Sequence, residues 1–463
     1  MKTLEFHNEN MFKTGLREEC GVFGGIVYEN DIAPYIRQGL FMLQHRGQES
    51  AGICCGDTDL VNHKDKGLVQ VVLADKEIQH IKGKSGIGHV RYSTQGSSDN
   101  LHAQPFMIKY MDEKVAIAHN GNVHAAIKMR EDLEAKGEVF LTTSDTEIIF
   151  KKVIREISKK PSKWNLYQVG TILKDNFTGG AWSLLFGFPG KIMAFRDPLG
   201  YRPLVFCEAE EGYFISSEDC AFQLLNRIKV IEIEPGEAIE ITPEGYKIER
   251  FAKHEIHKKC VFEHIYFARP DSNIFGKNVY TSRVEMGKRL AIEHPIEADV
   301  IIPVMDSGFA SAIGFSQQSG IQLQMGLLRN HWVGRTFIKP KQQARINSVL
   351  EKLTPIVPII ENKRVVLVDD SLVRGTTSRE IVKMLKNVGA KEVHIRISSP
   401  MLVNTCHWGV DISSKGELIA NSFNNVQEIN DYIGADSLGY LSFDGLGEIM
   451  GNTGWCHTCF EKS

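Results

Sequence analysis

No stretch of this chain approaches the roughly 18 consecutive apolar residues of a membrane-spanning helix, so a membrane partner is not expected. Excess charge of one sign is missing too. With 54 basic and 57 acidic residues the net charge is −3, which makes no electrostatic case for nucleic acid or an anionic surface. Cysteine is scarce: nine in 463 residues are too few for a disulfide scaffold, and an odd number cannot all pair. The opening MKTLEFHNENMFKTGLREE lacks the continuous apolar core of a secretory signal, and the expected compartment is the cytoplasm. Repeats and low-complexity tracts are absent. What is present is an ordinary globular composition, 42% hydrophobic and 24% charged, with length for two or three domains. Composition shifts near 250–262, where ERFAKHEIHKKC follows strand-like IEIEPGEAIEIT. One domain is therefore expected to end at 255 and the next to start at 256.

The most informative segment is Val365–Ser378, VVLVDDSLVRGTTS. Its four apolar residues predict a buried strand ending in Asp369 and Asp370. A turn, Arg374-Gly375-Thr376-Thr377, and a helix follow. Ile381, Val382, Leu385 and Val388 form an apolar stripe at helical period, Gly389 ends it, and KEVHIRIS supplies the next strand of a βαβ unit. In an open α/β sheet, ligands bind outside the carboxyl end of such a strand. Backbone N–H groups at the helix start suit a phosphate. Two carboxylates suit sugar hydroxyls or a bridging Mg²⁺, so the implied ligand is a phosphorylated ribose. The plainer alternative is a buried strand ending in two solvated aspartates. The joint presence of the pair, Arg374, Gly375 and the two threonines argues against it.

In the first half, Cys20 stands in EECGVFGG, directly before an apolar stretch expected to be a strand. Four polar clusters follow: LQHRGQESAGI, GIGHVRYSTQGSS, AIAHNGNV and TTSDTEII. Each has a plain reading. Cys20 would be a packed core thiol, Arg91 a surface cation, Asn120-Gly121 a hairpin turn, and Ser144-Asp145 a helix cap. Taken jointly they suit a nucleophilic site better.

The 365–378 run resembles the phosphoribosyl-pyrophosphate (PRPP) loop of type I phosphoribosyltransferases. The N-terminal clusters resemble the glutaminase domain of the N-terminal-nucleophile amidotransferases. From Cys20 to about Phe460 the chain resembles the amidophosphoribosyltransferase family. That resemblance implies an α/β and α+β two-domain protein, an αββα glutaminase sandwich over 20–255 followed by a type I phosphoribosyltransferase α/β domain over 256–463. Residues 1–19 are implied to be a propeptide, removed by the protein itself, so that Cys20 becomes residue one. Its freed α-amine, with pKa roughly 7.7–8.0, then serves as the base for the thiol. Asn120 and Gly121 N–H are implied to form the oxyanion hole, Arg91 to receive the glutamine α-carboxylate, and Asp145 its α-ammonium. Ammonia would pass internally to PRPP and displace pyrophosphate, giving 5-phosphoribosylamine, the first committed step of purine synthesis.

The same resemblance implies that Asp369 and Asp370 hold ribose hydroxyls and Mg²⁺, and that Arg374, Gly375, Thr376 and Thr377 hold the 5-phosphate. IIPVMDSGFASA resembles the diphosphate-side loop, where Ser307 helps place Mg²⁺. Met305 and Ile302 depart from the family's usual proline and acidic residue there. The basic stretch 329–345 reads by itself as a solvated face but matches the family's mobile loop, although His331-Trp332 replaces the commoner Arg-Tyr. Feedback inhibition by purine nucleotides and a homotetramer are implied as well.

Cys456 and Cys459 have metal-ligand spacing, whereas Cys260 and Cys406 are distant in sequence. Spacing alone allows zinc, an iron–sulfur cluster, a redox pair with spectators, or no site. The flanks KKCVFEHIYFARPDS and GNTGWCHTCF resemble the ligand segments of the propeptide-bearing branch of the family, implying a [4Fe–4S] cluster. Cys54, Cys55, Cys207 and Cys220 are expected in the core, and His407 in packing. Two rivals stand beside this assignment. A non-catalytic PRPP sensor has no need of Cys20, Arg91, Asn120 and Asp145. An amidotransferase with another acceptor has no need of the 369–377 loop.

Overall fold

The computed structural model describes residues 20–92, 100–123, 125–159, 164–253, 256–330, 352–410 and 414–461. The leader 1–19, most of 329–345 and residues 254–255 at the expected domain boundary lie outside the described residues.

Two antiparallel sheets dominate the first half. In spatial order the seven strands of one are 227–232, 205–209, 212–216, 21–27, 85–91, 50–55 and 61–66. The six of the other are 245–250, 237–242, 191–196, 181–188, 113–122 and 106–110. Val22, Ile26, Ile87, Ala116, Ala118, Leu185 and Ala194 pack between them. Strand alternation sends the neighbouring side chains to the outer faces. Phe23 and Val90 meet helix Ala33–Met42. Val115 and Ile117 meet helices Asp145–Ser158 and Leu166–Asn176. The result is the expected αββα sandwich.

In the second half, strands Val300–Pro303, Arg364–Asp369, Glu392–Ile397 and Ser437–Tyr440 form one parallel sheet in that order. One face carries helices Val279–Glu293 and Phe309–Ser319. The other carries Thr376–Asn387 and Val426–Ile433. The βαβ unit read from 365–397 is present. Ile381, Val382 and Leu385 are buried, and Val388 packs partly buried against the same cluster. Near-continuous apolar runs such as Val365–Val368 are what a strand covered on both faces requires.

Candidate active sites

Cys20 precedes strand Gly21–Val27, whose register pairs Gly21 with Val90. One step further in that register, Cys20 lies opposite Arg91, the last residue of its strand. By alternation Cys20 and Arg91 share the inter-sheet face with Val22 and Ile87. Arg91 is 5% exposed, which removes the surface-cation alternative. The Cys20 thiol points at Tyr92 O, 3.6 Å away, and Arg46 Nε donates to Cys20 O at 3.1 Å. Gly47 lies against the Arg91 backbone, so the LQHRGQ cluster supports both residues.

Asn120 and Gly121 belong to strand Glu113–Asn122 and are not a hairpin turn. Gly121 has φ 149°, and a Cβ there would fall 2.0 Å from Ala181 O, so only glycine fits. Asn120 is fully buried. As placed, its Nδ2 donates to Ser217 Oγ at 3.3 Å, and its Oδ1 has no hydrogen-bond partner among the described residues. Ser217 Oγ also accepts from Val22 N at 3.0 Å, which leaves its own proton unused. Amide orientation is an assignment, decided by the hydrogen-bond inventory. The reversed amide lets Ser217 donate to Oδ1 and leaves Nδ2 as a buried, unmatched donor beside the nucleophile's strand.

Asp145 opens helix Asp145–Ser158 behind Ser144, whose side chain accepts from Thr146 N. The helix-cap expectation therefore holds, and Asp145 also accepts from Val123 N at 3.0 Å. Burial would raise the Asp145 pKa. Nearby His119 and the backbone N–H groups outweigh it and hold the carboxyl below its ordinary range. The negative N-terminal residue also suits the helix dipole.

Sequence reasoning assigned no role to His119 or His89. His119 Nδ1 lies 3.1 Å from Thr146 Oγ1 and 3.6 Å from Asp145 Oδ1. His89 Nε2 bonds His119 O at 3.0 Å, so it carries the proton, and burial pushes its pKa down to about 3. Both sit in motifs flagged as polar clusters. Only the fold shows that they brace Asp145 and the strand of Asn120.

At the second site Asp369 and Asp370 close strand Arg364–Asp369. Burial and then the neighbouring carboxylate push Asp369 well above the usual range. Burial also raises Asp370, opposed by hydrogen bonds from Ser307 and Ser371 and by the charge of Arg283. The Ser307 hydroxyl reaches both aspartates. It can do so because Gly308 lies where a Cβ would meet Val368 O at 2.4 Å. Gly375 caps helix Thr376–Asn387 with φ 71°, and Thr376 and Thr377 stand exposed in its first turn. Arg374 is not free toward that turn but ion-pairs with Glu417. Arg283, buried behind the pair, was not singled out from sequence.

The four expected cluster cysteines come together. Cys260 stands directly opposite Cys456 in a short parallel pairing. Val403 N and Asn404 N bond Cys459 O, which brings the tail against the segment before Cys406. Burial pushes the Cys459 thiol well up, and Cys406, Cys260 and Cys456 add to the rise. Trp408 N donates to Cys406 Sγ at 3.3 Å, and burial lifts that thiol to about 11. All nine cysteines are free thiols. Among the described residues no group of three or more His, Cys, Asp or Glu side chains is arranged to hold a metal ion. Cys54, Cys55, Cys207 and Cys220 are buried, as expected. The His407 ring packs edge-on against Trp408.

Comparison with known proteins identifies both halves of the chain. A glutamine amidotransferase domain model matches residues 72–239, and a phosphoribosyl transferase domain model matches 288–399. The amidophosphoribosyltransferase of Methanocaldococcus jannaschii is 44% identical over 457 residues, 95% of this chain and 96% of that protein. That of Bacillus subtilis is 43% identical over 455 residues, 96% and 94% of the two chains. The solved B. subtilis glutamine PRPP amidotransferase complexed with ADP and GMP superposes with a TM-score of 0.86 at 42% identity, covering 95% of this chain and 96% of that one. With two domain models in the right order and similarity along nearly its whole length, the chain belongs to the amidophosphoribosyltransferase family.

Proposed function

We propose that the chain is a glutamine-dependent pentosyltransferase that moves glutamine-derived ammonia onto PRPP. Pyrophosphate and glutamate are released, and 5-phosphoribosylamine forms for purine synthesis. The observation that carries the glutamine half is the convergence of Cys20, Arg91, Asn120 and Gly121 on one end of the inter-sheet space. Asp145 stands at the adjoining helix start. The Cys20 thiolate attacks the glutamine amide carbon, and the oxyanion is met by Gly121 N–H and Asn120 Nδ2. Arg91 and the ionised Asp145 match the two charges of the amino-acid head group. Collapse of the adduct expels ammonia, and water then frees glutamate from the thioester. Removal of residues 1–19 would give Cys20 the α-amine that accepts its proton. Arg46, by holding Cys20 O, fixes how that amine sits against the thiol.

At the second site Asp369 and Asp370 orient the ribose through its hydroxyls, and the 374–377 turn takes the 5-phosphate. Ammonia attacks C1 as the C1–O bond to pyrophosphate breaks. Mg²⁺ suits this donor set of two carboxylates and the Ser307 hydroxyl, and when bound it supplies charge neutralisation for the departing pyrophosphate. Four disulfide-free cysteines, one of them accepting an N–H at sulfur, are the donor set that a [4Fe–4S] cluster takes. Its role would be to staple Cys260 to the tail. The propeptide, a division into domains at 255/256, purine nucleotides as inhibitors, a homotetramer and a cytoplasmic location complete the reading.

The test is simultaneous assay of glutamate and pyrophosphate from glutamine and PRPP. Both should form, and PRPP should accelerate glutamate release. Glutamate without pyrophosphate would mean a different acceptor, and neither product would mean a sensor.

A further inference from the structure

Between the two sites lies a buried ionic cluster whose carboxylates have no part in either reaction as described. Arg46 forms a two-pronged pair with Glu263, at 2.7 and 2.9 Å, and a third contact of 2.6 Å to Glu218. All three side chains are fully buried. Arg202 Nη1 lies 3.5 Å from the same Glu263 oxygen and Arg202 donates to Trp408 O. Arg46 and Glu218 come from the glutaminase sandwich. Glu263 comes from the one-turn helix Glu263–Phe267, three residues beyond Cys260. The segment continues to Arg269 N and Ser272 Oγ, both donating to Glu218 Oε2 at 3.0 and 2.6 Å. Residues 263–272 thus strap the second domain onto the floor of the first site.

The same strap is gripped from the PRPP side. Arg283 Nε donates to His264 O and its Nη2 to Ala268 O, both at 2.8 Å. Arg283 also lies within electrostatic reach of Asp370. Ser311, at the start of the helix that follows Ser307, donates to Arg283 O at 3.2 Å. The helix behind Ser307 therefore leans on Arg283, whose charge also reaches Asp370; Arg283 leans on the strap, and the strap on Arg46, which holds the Cys20 carbonyl.

Buried pairs of this kind are costly to form and strongly orienting once formed. A two-pronged Arg–carboxylate contact transmits direction as well as charge. We propose that the 263–272 strap, with Glu263 as its positioning residue, couples a ligand at Asp369–Asp370 to the geometry of Cys20. The proposal rests on the two-site reading above. Glu263 touches no substrate. It acts through Arg46, by fixing rotation of the Cys20 carbonyl and with it the placement of amine against thiol.

The test is Glu263→Gln in the full-length enzyme, which keeps shape and removes charge. Three rates are needed: glutamate release without PRPP, glutamate release with PRPP, and pyrophosphate release from PRPP with ammonia. The stimulation by PRPP should shrink at least about fivefold, the low end of ordinary coupling between sites. The KM for PRPP with ammonia should stay at the parent value, and Glu263→Asp should restore part of the stimulation. Ser272→Ala, which removes a single hydrogen bond at the far end of the strap, should show a smaller loss of the same kind. It decides the matter if Glu263→Gln does not fold. Unchanged stimulation in the folded variants overturns the proposal. Parallel loss of all three rates would make the cluster merely structural and overturns it too. A parent enzyme that shows no stimulation would fail the two-site reading instead.

Discussion

Replacing Gly121 with alanine tests the oxyanion geometry with a single methyl group. The new Cβ would fall 2.0 Å from Ala181 O and 2.7 Å from its carbonyl carbon. Non-bonded heavy atoms settle near roughly 3.5 Å, so the two strands must part by about 1.5 Å. The backbone that moves carries the Gly121 N–H and the Asn120 side chain. A displacement of about 1 Å in a positioned group can cost about 100-fold in rate. Loss of one oxyanion donor costs about 100- to 1,000-fold. Glutamine-dependent product formation should therefore fall at least about 100-fold, while synthesis from ammonia continues at the parent enzyme's rate. Overpacking of this type costs about 1–3 kcal/mol of stability, which a melting curve would register. The assay is glutamate release with glutamine beside pyrophosphate release with ammonium chloride. A folded variant that kept more than about a tenth of its glutamine rate would refute the assignment of Gly121.

Cys20→Ala should abolish glutamine use and leave ammonia-dependent synthesis, because only the first site makes ammonia. Loss of both in a folded protein would break that division of labour. Asp369→Asn with Asp370→Asn should cripple PRPP chemistry and erase its stimulation of glutamate release, since amides lose the charge-assisted bonds to ribose hydroxyls. The folded carboxyls titrate above their unfolded value of 3.8, so the unfolded chain loses its protons first and the pair lowers stability as pH rises. The double variant should accordingly melt above the parent at pH 8, with the gap closing toward pH 4. A gap independent of pH would contradict the shifted pair. Protein purified without oxygen should be brown with about four irons per chain, and active enzyme should begin at Cys20 by intact mass. Colourless, zinc-loaded, active protein would exclude the cluster.

Much of this was readable in the sequence because the signals are local. Val365–Val368, the aspartate pair and the stripe through Leu385 define a βαβ unit without any distant partner. Cys20, Arg91 and Asn120 could be nominated as polar residues at the ends of apolar strands. What sequence could not show is which charges are buried. Arg46, Arg202, Glu218, Glu263 and Arg283 look like solvated residues until partners up to 217 positions away are brought in. Glu263 lies within a stretch noted only for its resemblance to cluster-ligand flanks, and His119 beside an asparagine that drew all the attention. Arg374 likewise has a partner that no local reading supplies: Glu417, 43 residues on, ion-pairs with its guanidinium.

The ion pairs around Arg46 also impose an order on the chain's manufacture. Arg46, Arg202 and Glu218 emerge early from the ribosome, Glu263 follows, and the Trp408 carbonyl comes close to the end. Of this cluster, a nascent chain halted at residue 250 holds the two arginines, Arg46 and Arg202, but only one of the two carboxylates, Glu218. The guanidinium that holds the Cys20 carbonyl then has Glu218 but still lacks its two-pronged partner, Glu263. The part of the protein made first is thus completed by a residue made later: the floor of the first site closes only once Glu263 has been translated.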